Sequence, residues 1–83
     1  MARYIDIHSG SVGATPEQFR AAHRRRLAVE GSEGVHIERA WLDPESGRVF
    51  CLCTAPSQEA VRRVHDRSGQ PAAEVYQVQV EVP

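Results

Sequence analysis

Residues 35–57 read VHIERAWLDPESGRVFCLCTAPS, and this stretch decides the fold. Val35 to Leu42 opens with alternation: Val35 and Ile37 fall on one face, His36 and Glu38 on the other, which predicts a strand. Asp43-Pro44-Glu45-Ser46-Gly47 is turn chemistry, with residues that accept backbone bonds or tolerate unusual dihedrals. Arg48 to Thr54 is apolar on both faces, as expected of a strand in the middle of a sheet. Ala55-Pro56 ends that run, and Ser57 stands where a helix N-cap belongs.

Working outward, Arg3 to His8 also alternates. Ile5 and Ile7 share one face, expected to be the buried one, and Tyr4, Asp6 and His8 share the other. A loop of small residues follows from Ser9 to Ala14. Thr15-Pro16-Glu17-Gln18 then announces a helix, with Thr as N-cap, Pro at the first position and Gln three residues after the cap. Phe19, Ala22, His23 and Leu27 are its expected core stripe. Past Ser57, Ala60, Val61 and Val64 form the stripe of a second helix, which Ser68-Gly69-Gln70-Pro71 stops. Tyr76, Val78, Val80 and Val82 alternate with Gln77, Gln79 and Glu81 in a last strand.

The order β-α-β-β-α-β predicts an α+β fold: a ferredoxin-like sandwich of a four-stranded antiparallel sheet with both helices on one face. Length allows one domain, residues 1–83. The uncovered sheet face is expected to carry Tyr4, Asp6, His8, His36 and Glu38. Cys51 and Cys53 join them if Phe50 and Leu52 point to the helices. Such a face can pack against a second copy as a dimeric α+β barrel.

Composition narrows the function classes. The chain is 41% hydrophobic and 25% charged, ordinary for a globular protein. Its ten basic residues, all Arg, face eleven acidic ones for a net charge of −1, a poor balance for nonspecific nucleic-acid binding. Arg24-Arg25-Arg26 reads as a solvated helix face. No apolar run approaches a membrane span, and Met1 to Asp6 has no signal core. Cys51 and Cys53 sit two apart on a strand, about 6.5–7 Å at Cα, the outer limit of disulfide geometry. They are expected to be free thiols in the cytoplasm.

Four histidines carry the chemistry. His8 follows Asp6 by two residues, and His36 precedes Glu38 by two, so each pair projects from one strand face with an N and an O donor. Imidazole with carboxylate suits Ni, Zn, Cu or Fe, and a Cys51 thiolate would favour softer ions. His23 and His65 sit on the flanks of the two helices. An alternative chemistry uses Asp6, His8, His36 and Cys51 as acid, base or nucleophile toward a small molecule held inside a dimeric barrel. A third reading is a plain interaction module with neither metal nor pocket.

The sequence resembles a small actinobacterial family of domains of unknown function, some of whose members bind nickel. The resemblance rests on Gly34-Val35-His36-x-x-Arg39-Ala40-Trp41-x-Asp43-Pro44-x-Ser46-Gly47, on Val49-Phe50-Cys51-Leu52 and on Ala55-Pro56-Ser57-x-Glu59-Ala60-Val61. It continues in His65-x-Arg67-x-Gly69-x-Pro71 and Glu74-Val75-Tyr76. The resemblance implies a ferredoxin-like homodimer that binds Ni(II) for sequestration or tolerance, and does not imply an enzyme. Carried over residue by residue, it implies metal ligands among His8, His23, His36 and His65, with Asp6, Glu38 and Cys51 as further donors. The chain departs from the family pattern at Thr54, where many relatives have Glu, and at Cys53, where Ser or a larger residue is more usual.

Overall fold

Thr15 and Ser57 start the two helices by the same device. The Thr15 hydroxyl accepts from the Gln18 amide at 3.1 Å while the Gln18 side chain accepts from the Thr15 amide at 2.9 Å, a complete capping box. The Ser57 hydroxyl accepts from the Ala60 amide at 3.1 Å. In the computed structural model, which describes residues 1–83, these caps open α1 (Pro16–Glu30) and α2 (Gln58–Arg67). The strands are β1 (Ala2–His8), β2 (His36–Asp43), β3 (Arg48–Ala55) and β4 (Glu74–Gln77). They form one antiparallel sheet in the order β2-β3-β1-β4, the ferredoxin-like arrangement. No helix is long and apolar enough to cross a membrane.

The faces of β1 and β3 are the reverse of the expected ones, whereas β2 turns Ile37 to the helices and His36 outward as expected. Tyr4, Asp6 and His8 are buried against the helices, together with Cys51 and Cys53, and Ile5, Ile7, Phe50 and Leu52 lie on the uncovered face. The register makes this one consistent set: Tyr4 opposes Cys53 and Asp6 opposes Cys51, while Ile5 opposes Leu52 and Ile7 opposes Phe50. Alternation at period two separates two faces but does not say which one the helices cover. The helix layer supplies small apolar side chains and, at its centre, polar ones. The apolar cluster joins Tyr4, Val35, Ile37, Cys53, Ala55, Ala60, Val61, Val64 and Val75.

Three further differences have local causes. In α1 the inward stripe is Phe19, Ala22, Arg26 and Val29; Leu27 is 39% exposed, and Arg26, expected in solvent, is fully buried. A bulge in β2 between Ile37 and Arg39 puts Ala40 and Leu42 on the face of Ile37 and turns Trp41 toward Phe50 on the open face. β4 ends at Gln77, and Val80 and Val82 beyond it are exposed, because in the β1–β4 register they lie past Ala2, where β1 begins.

Candidate metal centre

The centre of the helix-covered face is polar. Adjacent central strands place Asp6 of β1 opposite Cys51 of β3, and α2 lowers His65 onto them. One ligand atom from each of Asp6, Cys51 and His65 lies within 4.8 Å of the others, and all three residues are buried. His65 Nε2 is 2.8 Å from Asp6 Oδ1. The other ring nitrogen, Nδ1, sits 3.1 Å from the Gln70 carbonyl oxygen. A carbonyl only accepts, so Nδ1 carries the hydrogen there. Nε2 then faces a carboxylate oxygen that has no other hydrogen bond. A ring nitrogen and a carboxylate oxygen this close hold a cation between them, a proton or a metal ion. The Gln70 contact is the kind of outer support that fixes the tautomer of a metal-ligating His.

Burial, and then the charge of Asp6, push the Cys51 thiol up to about 12. Cys53 is likewise pushed up to about 12, by burial and then Asp6. Both therefore rest as thiols, and a metal at Cys51 must displace a proton.

His8 packs its ring 5.3 Å from that of His65. Burial first, then the neighbouring His65 and Arg26, hold it down at about 4 from an ordinary 6.5, against the weaker opposing pull of Asp6. Between those values the unfolded chain binds more protons than the folded one, so stability rises with pH. The contribution is complete above pH 6.5 and lost as pH falls toward 4. We expect urea melts of metal-free protein to lose about 2–3 kcal/mol across this window, and His8→Gln to flatten the loss. An equal pH slope in the variant refutes His8 as its source.

The remaining sequence candidates lie apart from this group. His23 is half-buried on α1 and accepts from Arg26 Nη2 at 3.2 Å, which places its own hydrogen on Nε2. His36 is exposed on β2, and Glu38 is exposed at the bulge, where it accepts from Arg3 Nε at 3.3 Å. His65, expected on a helix flank, is instead 1% exposed.

Two residues central to the site escaped the sequence reading. Arg26 continues the spacing of Phe19, Ala22 and Val29, so helical period was a usable signal that its charge concealed. Gln70 had none. Gly69, at a φ of 76°, reverses the chain after α2 and brings the Gln70 amide to the His65 carbonyl at 2.8 Å. Folded back, the Gln70 side chain accepts from Arg26 Nη1 and donates to the Ala22 carbonyl at 3.0 Å.

Comparison with known proteins bears on this centre. No curated protein matches the chain significantly. Among solved structures, SCO4226 from Streptomyces coelicolor A3(2) is 47% identical and superimposes with a TM-score of 0.94, covering 98% of this chain and 100% of its own. The family profile described as "Nickel responsive protein SCO4226-like" matches residues 4–78. A match over nearly the whole chain, with the same fold, places this protein in the SCO4226-like family of nickel responsive proteins.

Proposed function

We propose that this protein binds Ni(II) through Asp6, Cys51 and His65 and serves nickel sequestration or tolerance in the cytoplasm. The observation that carries the reading is the approach of His65 Nε2 to Asp6 Oδ1 at 2.8 Å while Nδ1 is committed to the Gln70 carbonyl. An oxygen, a sulfur and a nitrogen donor suit a borderline divalent ion, and the family's nickel responsiveness favours nickel among them. The bound ion would take the place of the proton that otherwise bridges His65 and Asp6.

Calorimetry of untagged, reduced protein with Ni(II), and with Zn(II) and Co(II) for comparison, tests the reading. We expect saturable binding at a fixed ratio per chain, weakened about 10–100-fold or more by His65→Ala or Cys51→Ser. Because Cys51 must give up its proton, affinity should rise with pH, and the observed heat should vary with buffer ionisation enthalpy. Unchanged binding in both variants would refute the site; zinc binding far tighter than nickel would refute the nickel role.

We further propose that two copies pair through the open sheet face. Ile5, Ile7, Phe50 and Leu52 are only half-buried there, and Trp41 and Tyr76 are 46% and 55% exposed. A contiguous apolar face of this kind on a small domain marks an interface. Light scattering should give twice the 9.2 kDa chain mass, and Phe50→Asp should return the chain mass. A monomeric wild-type protein at about 0.1 mM refutes the pairing.

A further inference from the structure

Arg26 is fully buried on α1, and no carboxylate pairs with it. Its Nη1 donates to the Gln70 side chain and its Nη2 to His23, both neutral acceptors, and Nε has no partner at all. A guanidinium stays protonated at any working pH, so it is a permanent buried charge without an adjacent counterion. A second buried group shares the predicament. Nδ1 of His8, a residue 5% exposed, also lacks a partner.

Both residues line the same cleft. It runs between the loop after β1, the first turns of α1 and the loop after α2, with a volume of about 710 Å³. That lies within the size range of small-molecule sites, and its lining is mostly polar with one apolar side. Phe19, Leu42 and Val49 supply apolar wall here. Arg25, exposed on the same helix, also borders the opening and adds positive potential along the approach.

We propose that this cleft binds a small monocarboxylate, whose carboxylate pairs with Arg26 and whose apolar body lies against Phe19, Leu42 and Val49. One negative charge matches the single buried positive charge. The unpartnered polar atoms are few, Arg26 Nε as a donor and His8 Nδ1 as a donor in one tautomer, and they suit two carboxylate oxygens better than the three or four oxygens of a phosphate. The apolar wall gives a hydrocarbon body somewhere to go. Asp6, Cys51 and His65 do not line the cleft, although His8 packs on His65, so the test is run on metal-free protein.

Metal-free, chelator-treated protein titrated with hexanoate tests it, with 1-hexanol and inorganic phosphate in parallel and backbone amide shifts as the readout. Hexanoate should saturate with a Kd of about 0.1–1 mM, at least tenfold tighter than hexanol or phosphate. The largest shifts should fall on Ser11, Gly13, Gly69 and Gln70. Arg26→Gln should weaken hexanoate about tenfold or more. Should that variant fail to fold, the contrast between hexanoate and hexanol on the wild-type protein still decides. Hexanol as tight as hexanoate refutes recognition of the charge, and tighter phosphate refutes the carboxylate class. Shifts elsewhere, or none up to about 10 mM ligand, refute the site.

Discussion

Asp6→Ala is expected to destabilise the metal-free protein by about 3–5 kcal/mol, because breaking a buried pair leaves the surviving partner unsatisfied. His65 would keep its bond to the Gln70 carbonyl at Nδ1 and lose its partner at Nε2, in a site where the residue is only 1% exposed. A domain of this size has only about 5–10 kcal/mol to lose, so the melting temperature should fall by about 15 °C or more. Asp6→Asn separates the lost charge from the lost contact. Its amide can donate to His65 Nε2 in the same shape, so its cost should be less than half that of the alanine variant. Nickel binding should disappear in both, since Asn offers no anionic oxygen. A chelator-treated Asp6→Ala protein within about 0.5 kcal/mol of wild type would refute the account of this buried pair.

The second large effect lies outside the polar centre, at Gly47 in the turn between β2 and β3. Its φ is 74°, and an added Cβ would sit 2.5 Å from the Val12 backbone nitrogen and 3.0 Å from that of Ser11. The same approach makes two bonds: the Ser11 amide donates to the Gly47 carbonyl at 3.1 Å, and the Gly13 amide to Pro44 at 2.9 Å. Backbone cannot move aside as a flexible side chain can. Gly47→Ala should therefore cost about 2–4 kcal/mol, backbone strain and overpacking together. It should also loosen residues 9–13, which border the cleft, as faster exchange of the Ser11 and Gly13 amides. Gly13→Ala is the control. Its φ is also positive, at 74°, but nothing lies within 4 Å of the added Cβ, so strain alone remains, about 1–2 kcal/mol. Equal costs at the two positions would refute the close approach as the cause.

Local chemistry made much of the fold readable from the amino acids. Thr15-Pro16-Glu17-Gln18 and Ser57 started the helices where the caps are found, and the turn residues from Asp43 to Gly47 joined the two strands anticipated on either side. These signals act between neighbours, so a linear reading can see them. The element order then carried the topology, with β3 and β1 at the centre. Asp6, His8, Cys51 and Cys53 do share one face, but His36, expected with them, lies on the other.

Tertiary structure alone decided which face the helices cover. Alternation is symmetric between the two sides of a strand, and hydropathy pointed Ile5 and Ile7 inward because they are the more apolar pair. The helices instead close over Asp6 and His8, where His65 and Arg26 arrive from α2 and α1 to meet them. Each of these four polar residues reads as solvent-exposed when considered singly, since burying one alone is costly. Only the packed helices bring the donors, acceptors and charges together. They do so through a Gln70 side chain placed by the reversal at Gly69, a contact between residues far apart in the chain. Single-residue polarity predicts where a group sits by itself, whereas a buried polar centre is stable only as a set.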